Sequence, residues 1–459
     1  MNILWDERHG KILLDFLAKL NDEKIRYFII RGFEGLPNKN PSKDVDIMIE
    51  VGKEKQAALL LKKVYTNNGI TNLHSDTFGH IHCYVGMDLV RELSIHIDLV
   101  EGYISKGFEI FTFNELYEHV VQYNGMNVLD SYMNGLMLIV YKIFGYHKAK
   151  LKQSYRNEIG QAYVASRDNF AKEIYKICGN KIGGQVISCL EMNDFDQLLK
   201  LEPVFTKSLK QYTWRKQFLK TLKYNLEFYI QKINRIIFFY RHYAKTFAVM
   251  APDGTGKTTF LDALIDKLNY YYINTMEDNR FHVYHFRPSV LPNLGAVGEK
   301  AGVMKQDTNF TNPHRNKPAN PFSSLVRISY YTLDYIFGWQ KCVRNDVHYD
   351  RYSVFDRYSY DFIVDPLRTK LNLPKWVRKF FVGLTPQPKI VFFLSASPSI
   401  VFARKQELTL DEIERQSKEY LSLANSNKKR FKIINAEKTP DQMANEALKI
   451  IVDLYTEKL

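Results

Sequence analysis

Apolar residues in the first hundred positions change between helical and strand spacing. Leu13, Phe16, Leu17 and Leu20 recur at steps of three or four, which predicts a helix with one apolar face. Val45, Ile47 and Ile49 alternate with polar residues, which predicts a half-buried strand. The full pattern predicts a helix at 13–20, strands at 25–30 and 45–49, a helix at 54–66, and strands near 78–85 and 92–100. We therefore expect a compact α/β unit here.

The pattern changes twice more along the chain. Residues 108–200 show weaker, mostly helical spacing, and Leu222, Leu226, Tyr229, Ile233 and Ile236 predict an amphipathic helix. From position 247 a short apolar strand, a glycine-rich turn and a helix begin a second α/β domain. The predicted fold class is α/β, in four regions: 1–110, a helical region at 111–204, a basic aromatic helical linker at 205–245, and 246–459.

Composition excludes several classes of protein. With 459 residues, 45% hydrophobic and 25% charged, the chain is neither disordered nor collagen-like nor a coiled coil. Cys83, Cys178, Cys189 and Cys342 form no C-x-x-C pair, so we expect neither a disulfide framework nor a zinc site. The N-terminus lacks the apolar core of a signal peptide, and apolar runs fall short of the about 20 residues that span a bilayer. A cytoplasmic protein is expected.

The net charge of +14 is concentrated in one segment. Residues 205–245 contain ten basic residues and one acid, a net charge of +9, which leaves +5 for the other 418 residues. Three interpretations remain open: a solvated linker helix, a peripheral patch that attracts anionic lipid on the inner face of a membrane, and a nucleic-acid surface. Nucleic acid ranks last because no nucleic-acid motif accompanies the charge.

The turn after position 250 has the pattern of a phosphate-binding loop. Residues 251–259 read A-P-D-G-T-G-K-T-T, which matches G-x-x-x-x-G-K-[ST] except that Ala251 replaces the first glycine. Backbone N–H groups at a helix N-terminus bind phosphate, Lys257 would reach the β- and γ-phosphates, and Thr258 would bind Mg²⁺. The residues expected to bind ATP are Gly254, Thr255, Gly256, Lys257, Thr258 and Thr259.

Residues 247–459 resemble the thymidylate kinase group of P-loop kinases. Asp253 lies inside the loop, Arg287-Pro288 follows Lys257 by 30 residues, and a predicted strand ends in Asp-Arg-Tyr at 356–358. The resemblance implies ATP and Mg²⁺ as cofactors. It also implies that Asp356 holds the Mg²⁺ shell and that Asp253, Arg287 and Arg357 orient the acceptor.

The resemblance further implies a lid at 398–407, in which Arg404 neutralises the transferred phosphoryl group. Two features depart from the group. Ser289-Val290-Leu291-Pro292 replaces a glycine pair, and residues 292–324 form a polar insertion, which predicts an altered acceptor pocket. The run 360–366, with Tyr-Asp and Val-Asp-Pro, resembles variants linked with surface-polysaccharide assembly.

Carboxylates in the first domain suggest a second phosphate chemistry. Asp44 and Asp46 lie on one face of a predicted strand, with Cα atoms roughly 6.6 Å apart, and Asp98 lies on a later strand. With Gly32 before them, residues 10–150 resemble the minimal nucleotidyltransferases, although Phe33 replaces a small residue. That resemblance implies that Asp44, Asp46 and Asp98 bind Mg²⁺ and that Gly32 contacts a nucleotide.

Together these motifs predict an ATP- and Mg²⁺-dependent phosphotransferase with an attached nucleotidyltransferase-like domain, in surface-polysaccharide biosynthesis. Lys257, Asp253, Asp356, Arg357 and Arg404 are the expected catalytic residues. The expected partners are a nucleotide and a small sugar or phosphate acceptor. Two alternatives stay open: a true thymidylate kinase that converts dTMP to dTDP, and a catalytically degenerate nucleotide-binding scaffold.

Overall fold

The chain forms two compact units. The computed structural model describes residues 5–41, 43–145, 151–237, 246–272, 281–292, 319–348 and 351–459. The first unit comprises Met1–Asn234 with Thr456–Leu459, and the second comprises Arg235–Tyr455. The first three regions expected from the sequence thus belong largely to one unit, and the last four residues return to it.

The first unit contains a sheet of eight strands. In chain order they are β1 (Tyr27–Ile29), β2 (Asp44–Ile49), β3 (Asn72–Phe78), β4 (Ile81–Asp88), β5 (Leu93–Glu101), β8 (Val120–Tyr123), β9 (Met126–Leu129) and β15 (Glu457–Lys458), while β6 (Ile104–Ser105) pairs with β7 (Phe108–Glu109). The spatial order is β15-β3-β4-β5-β2-β1-β9-β8. Strands β2 and β5 are parallel neighbours, which brings their residues of equal register side by side.

Nine helices of the described residues precede the second sheet. They are α1 (Glu7–Asp22), α2 (Glu54–Asn67), α3 (Phe113–Tyr117), α4 (Ser131–Gly145), α5 (Gln153–Ala165), α6 (Arg167–Glu191), α7 (Phe195–Lys200), α8 (Glu202–Lys216) and α9 (Phe218–Ile237). Helix α1 starts at a capping box in which Asp6 accepts from the first turn, and Phe16 and Leu20 enter the same core as Ile47. The predicted helices at 13–20 and 54–66 are confirmed.

The helical prediction for 108–200 is wrong in part. Strands β8 and β9 form an antiparallel hairpin within that range. Asn124 and Gly125 connect them with positive φ angles of 47° and 77°. This Asn-Gly turn favours a hairpin because its twist matches that of the strands. Strand β3 was also missing from the prediction, and β4 starts at Ile81, after Gly79 has turned the chain.

The second unit is built on a parallel five-stranded sheet. Its strands are β10 (Thr246–Met250), β11 (Phe281–His285), β12 (Tyr352–Asp356), β13 (Ile390–Ser395) and β14 (Phe431–Asn435), in the spatial order β11-β12-β10-β13-β14. All five residues of β10 and most of those of β12 and β13 are buried, and most of them are apolar, as a parallel sheet covered on both faces requires. The carboxyl ends of the strands therefore meet at one edge.

Helices surround this sheet. They are α10 (Lys257–Tyr272), α11 (Pro321–Gly338), a π-helical turn (Trp339–Val343), α12 (Arg344–His348), α13 (Asp361–Val364), α14 (Lys375–Leu384), α15 (Pro398–Arg404), α16 (Leu410–Ser426) and α17 (Pro440–Tyr455). The strand–turn–helix order predicted around position 250 is confirmed. Most of the polar insertion predicted at 292–324 lies outside the described residues. Only 292 and 319–324 are described, and α11 begins within the latter stretch.

A buried hydrogen bond joins α16 to α13. The Tyr420 hydroxyl donates to Asp361 Oδ1 at 2.6 Å, and both side chains are fully buried. We expect Tyr420→Phe to lower the free energy of unfolding by about 1–3 kcal/mol, because the Asp361 carboxylate loses a donor that water cannot replace. Equilibrium urea unfolding measures this change. Tyr175→Phe, on the half-exposed surface of α6, is the matched control, and equal midpoints for the two variants would contradict the prediction.

Candidate active site

The loop between β10 and α10 is shaped to hold an anion. Gly254 and Gly256 have φ angles of +87° and +94°, which L-residues rarely adopt. A Cβ atom at Gly254 would also lie 2.9 Å from the Cβ atom of Lys405. Ala251 has no positive φ, so alanine at the first position of the motif costs no backbone strain. The loop thus keeps the glycines that its geometry needs and ends at the N-terminus of a sixteen-residue helix, where phosphate groups bind.

Lys257 begins that helix and is almost fully buried. Its Nζ donates to the carbonyl oxygens of Ala251 and Pro252 at 3.2 and 3.3 Å and lies 3.4 Å from Asp253 Oδ1. Burial, with the nearby positive charge of Arg357, lowers the pKa of this lysine to about 8. The ammonium group is therefore held by two neutral carbonyl acceptors and one long ion pair with Asp253, and a bound phosphate would add a closer opposite charge.

Asp253 lies at the centre of a cluster of ion pairs. One guanidinium nitrogen of Arg357 and one of Arg368 contact its two carboxylate oxygens. Arg357 also bonds Asp361 Oδ2 at 2.9 Å, and Arg368 bonds Asp365 Oδ2 at 3.1 Å. Asp361 and Asp365 are fully buried, so each charge in the cluster is compensated where water is absent.

The ion pairs of this cluster change the pKa of Asp253. Burial by itself would raise the pKa of the carboxyl group, but Arg357, Lys257 and Arg368 together hold that pKa well below its usual range. In turn, Asp361 and Asp253 outweigh the effect of burial and hold the pKa of Arg357 above its ordinary value. The loop aspartate is therefore ionised at neutral pH.

Asp356 lies at the end of β12, beside the loop. It is in register with Val249 of the neighbouring strand β10. Its Oδ1 atom is buried without a hydrogen-bond partner, and its Oδ2 atom lies 3.4 Å from His285 Nδ1. Mg²⁺ in kinases is bound by one or two protein oxygens, water and substrate phosphates. The orphaned oxygen of Asp356 and the exposed side chain of Thr258 fit that kind of ion.

Arg287 follows β11 and is held by a buried carboxylate. Its Nη1 atom bonds Asp334 Oδ2 at 2.6 Å, and its guanidinium lies 5.0 Å from the ring centre of Tyr331. Asp334, on α11, is fully buried and also accepts the backbone N–H groups of Ser289 and Leu291 at 3.2 and 2.6 Å. One carboxylate therefore orients the loop after Arg287 and offsets the charge of that arginine.

Arg404 ends α15 and points toward the phosphate loop. Its Nη1 atom donates to the carbonyl of Thr255 at 3.4 Å and to that of Ala436 at 3.0 Å. Within the second unit the structure thus gathers around one loop the residues predicted to handle ATP. Those residues are Gly254, Thr255, Gly256, Lys257, Thr258, Thr259, Asp356 and Arg404. Asp253 and Arg357, which were predicted to orient the acceptor, lie beside them.

Predicted site residues of the first unit lie on adjacent strands. Asp46 and Asp98 are in register on β2 and β5, as are Asp44 and His96. Asp46 is engaged by Arg31, at 2.8 Å. Across the described ranges, no group of three or more His, Cys, Asp or Glu side chains is arranged to hold a metal ion. The three carboxylates thus lie on two neighbouring inner strands and form no metal-binding group among the described residues.

Gly32 of this unit adopts a left-handed backbone conformation. Gly32 has a φ of +67°, and a Cβ atom there would meet nothing within 4 Å. The Phe33 ring, which departs from the motif, packs edge-on against Tyr123 at 5.4 Å between ring centres. The bulky side chain is thus directed to the β8–β9 hairpin and is accommodated there.

The sequence did not reveal three residues of this arrangement. Arg368 was not singled out, although it contacts Asp253 from 115 positions away. Asp334 was not singled out either, because its pairing with Arg287, 47 positions away, is not visible in the sequence. Gly338 is a third case, because a Cβ atom there would lie 2.3 Å from Pro288 Cβ. The small residue lets α11 approach the loop that carries Arg287.

Comparison with known proteins gives one distant similarity. Over 213 residues, 43% of this chain, the sequence is 24% identical to thymidylate kinase of Ligilactobacillus salivarius (strain UCC118), and the alignment covers 93% of that protein. No family model matches the chain. The similarity indicates a kinase-like domain in this chain.

The depressed pKa of Lys257 gives a test that does not depend on the acceptor. Phosphate binding favours the charged lysine and so raises its pKa, which means that ATP binding takes up a proton from solvent above about pH 8. Isothermal titration calorimetry at pH 8.5, in buffers of different ionisation enthalpy, measures this uptake. We expect the uptake to vanish in Lys257→Arg, whose guanidinium stays charged. Equal proton uptake in both proteins would contradict the assignment.

Proposed function

We propose that the second unit is an ATP- and Mg²⁺-dependent phosphotransferase that moves the γ-phosphoryl group of ATP to a small acceptor. The observation that carries the proposal is the pairing of two features at one sheet edge. The glycine-turned loop ends at Lys257 and the exposed Thr258, and the buried oxygen of Asp356 lies unpartnered on the adjacent strand. The distant similarity to a thymidylate kinase supports the same class of reaction.

Each side chain then has a defined task. Backbone N–H groups of the loop bind the phosphates, and Lys257 leaves the carbonyls of Ala251 and Pro252 to bind phosphate oxygen. A Mg²⁺ ion held by Thr258 and Asp356 would offset charge on the β- and γ-phosphates. Arg404, already bonded to the loop, would approach the transferred group.

In this proposal Asp253 and Arg357 bind the acceptor. The Asp253 carboxylate would accept a hydrogen bond from an acceptor hydroxyl, and Arg357 would hold the acceptor from the other side. Catalysis in this class is mainly positioning and charge neutralisation, so the rigid ion-pair cluster serves to keep both side chains in place.

The acceptor we propose is a sugar type of molecule in surface-polysaccharide biosynthesis. Support comes from Arg287, whose charge is already offset by the buried Asp334 and is less available to a second anion. The residues of the 360–366 run that resemble polysaccharide-linked variants, Asp361 and Asp365, are the ones that hold Arg357 and Arg368. The alternative acceptor is dTMP, favoured by the name of the distant relative.

Replacement of the loop lysine tests the phosphotransferase. We expect Lys257→Ala to reduce ATP turnover by about a hundredfold or more, because the transferred phosphoryl group loses its main cation. A coupled assay of ADP release, with a panel of sugars, sugar phosphates and dTMP, measures it. Lys449→Ala removes an exposed lysine of α17 and is the matched control. Full turnover in Lys257→Ala would refute the kinase assignment.

The panel of acceptors distinguishes the three proposed functions. Turnover with dTMP above all other acceptors would identify a thymidylate kinase. Tight ATP binding by calorimetry without turnover on any acceptor would favour the degenerate nucleotide-binding scaffold. Turnover with a sugar or sugar phosphate, lost in Lys257→Ala, is the result we expect.

A second candidate function, nucleotidyl transfer by the first unit, is favoured by the register of Asp46 and Asp98. Adjacent parallel strands place these carboxylates side by side, although Mg²⁺ binding would require the Arg31–Asp46 ion pair to open. We expect Asp98→Asn to abolish transfer of label from α-³²P nucleoside triphosphates while leaving ADP release by the second unit unchanged. Loss of both activities, or no label transfer by the unaltered protein, would contradict this role.

A further inference from the structure

Helix α9 exposes a row of apolar side chains. They recur at steps of three or four, which places them along one side of the helix, and Leu219 is 79% exposed. The row consists of Leu219, Leu222, Leu226, Tyr229, Ile230 and Ile233. Scattered apolar residues are normal on a surface, but a continuous row on one helix marks an interaction site.

The row is not the side by which α9 packs. Tyr224 and Thr221, on another side of the helix, are buried, and the Thr221 hydroxyl donates to the carbonyl of Thr213 at 3.3 Å. Asn225 donates to the carbonyl of Gly107 at 2.9 Å. These bonds attach α9 to the first unit and fix its orientation with the apolar row facing outward.

The basic residues beside the apolar row indicate which kind of partner it would bind. Glu227 is the one acidic residue among the twenty residues of α9. Its carboxylate lies 3.8 Å from Lys223 Nζ, and the Lys223 side chain is largely exposed. Lys232 is exposed as well. Basic residues beside an exposed apolar row are the pattern of helices that lie in the headgroup region of anionic membranes.

Two features disfavour other partners. A second copy of this chain would bring the same basic segment, with its net charge of +9, against itself. A single-stranded nucleic acid would need aromatic platforms, whereas five of the seven large apolar residues exposed in the described part of α9 are aliphatic, the exceptions being Phe218 and Tyr229. In addition, no helix among the described residues is long and apolar enough to cross a membrane, so α9 would lie along the surface.

We propose that α9 docks the protein on the surface of an anionic lipid bilayer. The aliphatic side chains enter the boundary between headgroups and acyl chains, and Lys223 and Lys232 bind the lipid phosphates beside them. This role is independent of the phosphotransferase proposed above, because α9 contributes no residue to the phosphate loop.

Vesicle co-sedimentation of the full chain tests the docking. We expect the protein to sediment with vesicles of phosphatidylcholine and phosphatidylglycerol, not with phosphatidylcholine alone, and to be released by added salt. The double variant Leu226→Glu/Ile230→Glu should lower the partition by about tenfold or more, because two carboxylates would have to enter the acyl boundary. The control, Leu59→Glu/Val164→Glu, changes two exposed apolar residues elsewhere in the first unit and should bind as the unaltered protein does.

A second variant separates charge from apolar insertion. Lys223→Gln/Lys232→Gln keeps the aliphatic row and should reduce the preference for phosphatidylglycerol. Circular dichroism and ATP binding must match the unaltered protein for each variant. Absence of binding to anionic vesicles, or equal loss in the α9 variant and its control, would overturn the proposal. So would a dimer in analytical ultracentrifugation that the α9 variant abolishes, since a second copy would then cover the row.

Discussion

The ion pairs of the Asp253 carboxylate are the interactions on which the second unit depends most. A buried carboxylate is costly unless cations compensate it, and here Arg357 and Arg368 contact it directly while Lys257 lies 3.4 Å away. These cations belong to the phosphate loop, the end of β12 and the segment after α13. The carboxylate thus links the phosphate loop to the end of β12 and to the segment after α13, and removal of any one partner would leave a charge unbalanced.

Sheet topology explains why this cluster can exist. Strands β10 and β12 are parallel neighbours, so the loop after one and the Asp-Arg pair after the other meet at the same edge. Arg357 adopts a φ of +75° at that point, and its backbone N–H donates to Val249 at 3.0 Å. A non-glycine residue in this conformation is held by its surroundings, and the result is a guanidinium directed at Asp253 and Asp361.

The basic residues of the two units differ in how far neighbouring acids neutralise them. In the second unit the basic site residues are matched by buried acids, as in the Arg287–Asp334 pair. On α9, Lys220 is likewise paired with the buried Glu109, whereas the largely exposed Lys223 and Lys232 border an apolar row that the first unit leaves exposed. Lysines of the preceding segment are partly used for attachment, since Lys216 bonds Glu115 at 2.6 Å. Whether a lysine can bind another molecule therefore depends more on its distance from acidic residues than on the number of lysines.

Local motifs determined the phosphate loop, its flanking strand and helix, and the alternating carboxylates of β2, because contiguous residues set backbone conformation directly. The β8–β9 hairpin was also encoded locally, in Asn124-Gly125, but the helical pattern around it concealed the signal. Only the tertiary structure decided that Arg368 contacts Asp253, that Asp334 offsets Arg287, and that Arg31 engages Asp46. Each of these pairs joins residues far apart in sequence, and packing of whole elements, which no local spacing encodes, sets the distance between them.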